Sequence, residues 1–108
     1  MPTADLPDKF ASGELGDLIF RSGFRGIFYG GCIERKEGSS FRRKAHAHLA
    51  RGKKARNYGG WICYRSAKRL RQINLLIHEL AHIVSNEGHT DKFRQTEKQI
   101  RKLANNPA

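Results

Sequence analysis

An α+β domain, with a small sheet packed on one long helix, is the fold the chain predicts. Three observations carry that expectation. Residues 24–34 and 61–64 are rich in aromatic and branched side chains, and residues 45–49 alternate, so these stretches suit strands. Leu70, Ile73, Ile77, Leu80 and Val84 recur in steps of three or four, which places them along one stripe of a helix. The chain has 108 residues, of which 38% are hydrophobic, enough for one compact domain over 1–108 with a modest core and too few for two ordinary domains.

Taken in order, residues 1–11 read as a flexible N-terminal arm, because Pro2 and Pro7 interrupt a stretch of scattered apolar residues. Ser12 is placed to cap a short helix over 13–22, with Leu15, Leu18 and Ile19 inward and Gly23 as its stop. Gly30-Gly31 marks a bend or bulge within the extended stretch 24–34. The polar stretch 34–43 reads as an exposed connection; its glycines lack the spacing, and the following Lys-Ser or Lys-Thr, of a phosphate-binding loop. A basic loop over 52–60 leads into the strand at 61–64. Ser66 is expected to cap the long helix, Asn86, Glu87 and Gly88 to end it, and Thr90 to cap a last helix reaching Ala104. In that helix Phe93, Ile100 and Leu103 should face the core, Phe93 against the preceding helix, while Glu97 turns to water or, as the alternative, reaches a ligand histidine.

The long helix carries His78-Glu79-Leu80-Ala81-His82. Residues four apart on a helix lie one above the other, so two imidazoles can share one metal ion while Glu79 beside them reaches a water there. A hydrolytic zinc site commonly keeps three protein ligands. His89 supplies the third if the chain turns back at Gly88; on an uninterrupted helix it would sit well beyond His82. Asp91 is the substitute for it. The expected cofactor is Zn2+, near one ion per chain, with Glu79 as general base and Tyr58 or Tyr64 as minor candidates for contact with an oxyanion. Gly60, Trp61, Ile62 and Tyr64, on the strand before the helix, are candidate contacts for an extended peptide.

The other histidines and the two cysteines give weaker signals. Ala45-His46-Ala47-His48-Leu49 puts both histidines on one strand face, read first as an exposed polar face, with a supporting role at the metal site, a second metal pair or contact with an oxyanion as the alternatives. Cys32 and Cys63 each lack a second cysteine two to four residues away, so they read as buried thiols without a structural zinc motif.

Lys and Arg number 21 against 10 Asp and Glu, a net charge of +11, and between residues 35 and 71 only Glu37 is acidic. Such a surface suits DNA or RNA as a partner, with Lys53, Lys54 and Arg56 as candidate contacts. No apolar run is long enough for a membrane span and the start lacks a signal-peptide core, so no membrane association and a reducing, cytoplasmic location are expected.

The zinc motif, followed by Gly88-His89-Thr90-Asp91-Lys92-Phe93 and preceded by the strands at 45–48 and 61–64, resembles the core of the small zinc metallopeptidases called SprT-like, including compact versions in phages and bacteria. The likeness spans about residues 24 to 103. It implies a minimal zincin-like domain, with His78, His82 and His89 on zinc and Glu79 as base, acting on a protein or peptide. The best-known members cut proteins attached to DNA. Two other readings of the same residues are a metal-dependent endoribonuclease and a noncatalytic, zinc-stabilised nucleic-acid-binding module.

Overall fold

The computed structural model describes residues 2–34, 43–52 and 55–105, without the side chain of Arg56. Among them are four strands, β1 (Thr3–Ala4), β2 (Gly26–Tyr29), β3 (Ala45–Ala47) and β4 (Trp61–Tyr64), and four α-helices, α1 (Asp8–Ala11), α2 (Gly13–Arg21), α3 (Ile73–Ser85) and α4 (Asp91–Asn105). The sheet order is β1-β2-β4-β3; β2 and β4 run parallel, and both outer strands run antiparallel to their neighbours. The fold is therefore mixed α+β with a small sheet.

Alternation decides which side of the sheet meets the helices. Ile62 and Tyr64 of β4, Ile27 of β2 and Ala45 of β3 are buried in one core with Leu76, Ile77 and Leu80 of α3 and Phe93 and Ile100 of α4. Trp61 and Cys63, which alternate with those β4 positions, point to the opposite face. Burying a side chain the size of Ile77 or Leu80 stabilises the fold by about 1.5–3 kcal/mol each, so the helix that bears the His-Glu-x-x-His motif is among the firmest parts of the domain.

Several elements differ from the sequence expectations, each for a local reason. Residues 2–11 of the expected arm are not loose: Thr3 and Ala4 pair with Phe28 and Ile27, and Phe10, fully buried, anchors α1 in the core. Ser12 precedes α2 but makes no side-chain cap; its hydroxyl donates back to the Asp8 carbonyl at 2.9 Å. Ser66 opens a 3₁₀ helix, Ala67–Arg71, and extended Gln72 (φ −84°, ψ 92°) separates that turn from α3. Leu70 thus lies outside α3. The buried face of α3 also includes Leu76, Ala81 and Ile83, since α3 packs against α4, α2 and the sheet together and one narrow stripe could not cover three neighbours. Thr90 caps α4 as expected, accepting from the Phe93 N–H at 3.3 Å.

Asn86 ends α3 in the left-handed conformation (φ 56°, ψ 39°), which asparagine tolerates better than most residues. Its side chain accepts from the Arg51 N–H at 3.0 Å and donates to the Arg51 carbonyl at 3.2 Å. That pair of bonds fastens the end of α3 to the segment just after β3.

Candidate metal centre

Three imidazoles converge where α3 stops. His78 and His82, one turn apart on α3, meet with ring centroids 4.9 Å apart, and the turn after Asn86 returns His89 to within 4.8 Å of His82 by the same measure. One ligand atom from each of the three falls within 4.8 Å of the others. His78 Nε2 and His89 Nε2 are 3.3 Å apart. Two imidazole nitrogens bonded to one tetrahedral ion of zinc's size stand about 3.3 Å apart, so the spacing fits a shared metal ion.

The far side of each helical imidazole is held. His78 Nδ1 lies 3.0 Å from Glu97 Oε2, and His82 Nδ1 lies 2.8 Å from the Glu87 carbonyl oxygen, to which it donates. Those bonds fix both Nδ1 atoms as the protonated ones and turn the Nε2 atoms toward the shared centre. Phe93, buried in the core, stacks on His82 at 4.3 Å between centroids and meets His78 and His89 edge-on. Burial lowers the pKa of His82, with the Glu87 carbonyl opposing, and so favours the neutral imidazole that binds metal.

Glu79 lines a pocket of about 230 Å³ together with the three histidines, Arg43 and β3. The residue is only 4% exposed, and its burial pushes the carboxyl up to about 7, with Arg43 pulling the other way. A carboxyl balanced near neutrality can both accept and return a proton.

Of the other sequence candidates, Asp91 stands apart from the three histidines: its side chain is 96% exposed and pairs with Arg94 at 3.1 Å. Gly60, Trp61, Ile62 and Tyr64 do not form a peptide-binding edge, which corrects the sequence expectation. β4 lies between β2 and β3, so both of its backbone edges are taken, and Ile62 and Tyr64 are buried in the core. Gly60, at φ 87°, bonds both neighbouring segments, donating to His48 O at 2.8 Å and accepting from Arg25 N at 2.9 Å. Burial and the nearby Glu79 carboxylate raise the Tyr64 phenol above its ordinary range. The strand that borders the pocket is β3, the outer one. Lys53, Lys54 and the Arg56 side chain lie outside the described residues.

Two groupings stand only as second readings in the sequence, in whole or in part. Glu97, read first as facing water and only second as a partner for a ligand histidine, holds His78; its signal is its place four residues after Phe93 and three before Ile100, on the buried face of α4. Cys32, His46, His48 and Cys63 form a second group whose ligand atoms also lie within 4.8 Å of one another. The sequence offers His46 and His48 as a second metal pair behind an exposed polar face, but reads the two cysteines as isolated thiols; only the pairing of β3 with β4 brings Cys63 to the histidines.

Comparison with family models, with curated proteins and with solved structures finds no match to this chain. The residues and their arrangement support a mixed α+β domain with two groups of side chains able to hold metal. Among the described residues no helix is long and apolar enough to cross a membrane.

Proposed function

We propose that the chain is a zinc-dependent endopeptidase with a minimal zincin-like fold, as its likeness to SprT-like enzymes implies. One observation carries the proposal: a carboxylate buried to 4% exposure stands between two ligand-type histidines and opens onto the same pocket as all three. His78, His82 and His89 would hold the ion. Zinc in a three-histidine site supplies Lewis acidity and makes water more acidic. Glu79 takes the proton from the water that attacks the peptide carbonyl, then returns it to the leaving amine. Glu97 and the Glu87 carbonyl hold the ligand rings in register.

The outer edge of β3 presents the substrate. His48 N–H, Gly60 N–H and Arg65 N–H bonds tie the His48 and Lys44 backbone inward to β4, so Ala45 and Ala47 direct their backbone groups outward. An extended peptide can pair there beside α3, and the small alanine side chains leave it room. The net charge of +11 suits a protein substrate carried on nucleic acid.

Incubating parent and Glu79→Gln proteins with a loosely folded basic protein, DNA, RNA, and protein plus DNA, then identifying products by mass spectrometry, tests the proposal. The parent should release peptides, and the variant should release them about 10²–10⁴ times more slowly while keeping its metal. Glu79-dependent nucleotide products without peptides would replace the proposal with the nuclease reading. Full metal content with neither product would favour the binding module.

A further inference from the structure

We propose that Cys32, His46, His48 and Cys63 bind a second zinc ion in a closed, four-ligand site whose role is structural. The sheet itself brings the ligands together. His46 stands directly opposite Cys63 across the β3–β4 ladder, and directly opposed residues point to the same face. His48, two residues further along, keeps that face, and its N–H still donates to Trp61 O at 2.8 Å. Cys32 arrives by a turn. Gly30 and Gly31 take φ of 92° and 136°, open to glycine and strained for other residues, and both N–H groups donate to Tyr64 O at 3.0 and 3.2 Å. The chain is thereby folded back over the end of β4, and the Cys32 thiol meets the histidines.

The distances match one tetrahedral ion. Zinc–nitrogen and zinc–sulfur bonds of ordinary length at tetrahedral angles place two nitrogens about 3.3 Å apart and a nitrogen and a sulfur about 3.6 Å apart. His46 Nε2 and His48 Nε2 are 3.2 Å apart, and Cys32 Sγ lies 3.6 Å from His48 Nε2. Both cysteines are free rather than joined in a disulfide, so both sulfurs are open to a metal. Two thiolates with two imidazoles form a donor set that selects zinc over the oxygen-loving magnesium and calcium. The supporting contacts also fit: the Ile33 N–H donates to Cys63 Sγ at 3.4 Å, and Glu34 Oε2 lies 3.8 Å from His48 Nδ1, leaving His48 Nε2 to face the ion.

Four protein ligands leave no position for substrate, and Cys32 and Cys63 are buried, at 6% and 0% exposure, so this ion would cross-link rather than catalyse. It joins the turn after β2 to both β4 and β3. Among the described residues β3 has a sheet partner on one side, and it is three residues long, so a cross-link from its outer face would hold it against β4 and fix the strand that borders the three-histidine pocket.

Cobalt tests it, since a thiolate ligand gives cobalt(II) a charge-transfer absorption in the near ultraviolet that an all-histidine site lacks. Parent protein, purified with reductant and loaded with cobalt(II), should show that band with two metals per chain instead of one. His78→Ala/His82→Ala should keep the band and one metal; Cys32→Ser/Cys63→Ser should lose the band and keep one. A parent without the band, or a band lost in the double-histidine variant, would overturn the proposal. If the double-cysteine variant does not fold, the parent and the double-histidine variant still decide it by band and metal count.

Discussion

The two histidine-containing groups lie on opposite sides of the β3–β4 pair and are built in different ways. Three imidazoles at the end of α3 come from residues 78 to 89, open onto a pocket, and are steered by hydrogen bonds to Glu97 and the Glu87 carbonyl. The cysteine–histidine group draws on residues 32 to 63, is assembled by strand register and a double-glycine turn, and has two buried thiols. A helix and the turn behind it can expose three ligands and leave one side free. A sheet face covered by a returning loop surrounds its ligands. The first arrangement suits chemistry on an incoming molecule, the second suits cross-linking.

The contrast sharpens at Glu79, because the three-histidine site holds beside it a buried carboxyl that the fold alone would reject. Burial raises the Glu79 carboxyl from 4.5 to about 7, so the metal-free folded protein favours its neutral form. The unfolded chain ionises at the lower value. The resulting penalty is absent below pH 4.5, grows as pH rises, and is complete above about 7, where the shift corresponds to on the order of 3 kcal/mol. Metal-free Glu79→Gln should therefore be more stable than metal-free parent at pH 8 and equal to it at pH 4. Urea unfolding at both pH values measures the difference; a gap that does not change with pH would contradict a buried, strained carboxylate.

A smaller effect is expected at Glu97. Replacing a group that orients a ligand imidazole weakens metal binding by about 10–100-fold. Glu97→Gln should do so at the three-histidine site and leave binding by the cysteine–histidine group unchanged, as read by competition with a chromophoric chelator. Equal weakening of both would mean that the variant loosens the whole domain, and the two regions would no longer be separable.

How far each region could be read from sequence follows from the same difference. His78, Glu79 and His82 were legible because helical period converts spacing directly into direction, and Asn86 to Gly88 signalled the return of His89. The strands at 45–47 and 61–64 were legible from alternation and side-chain type. Strand order was not. Nothing local in Trp61-Ile62-Cys63-Tyr64 says that β4 is interior and β3 is the edge, so the sequence points to an open edge on a strand that has none. The same gap hid the pairing of His46 with Cys63, since residues far apart in sequence become neighbours only once register is known. Phe10, fully buried in a stretch that reads as a loose arm, shows that a single aromatic anchor can outweigh two prolines.

The least effect is expected at Asp91, and it bears on whether the open site uses three histidines. From sequence, Asp91 and His89 both follow the turn at Gly88 and both carry a donor suited to zinc. The structure separates them. His89 Nε2 lies 3.3 Å from His78 Nε2, whereas the Asp91 carboxylate is turned to solvent against Arg94, in the first turn of α4 where a negative charge complements the helix dipole. An ion pair so exposed contributes little, because water screens both charges. Asp91→Asn should leave metal content and hydrolysis at the parent level, while His89→Ala should lower metal affinity and activity together. Metal analysis after dialysis against a weak chelator gives the answer directly: loss of metal in Asp91→Asn with retention in His89→Ala would exchange their roles and move the third ligand from the turn onto α4.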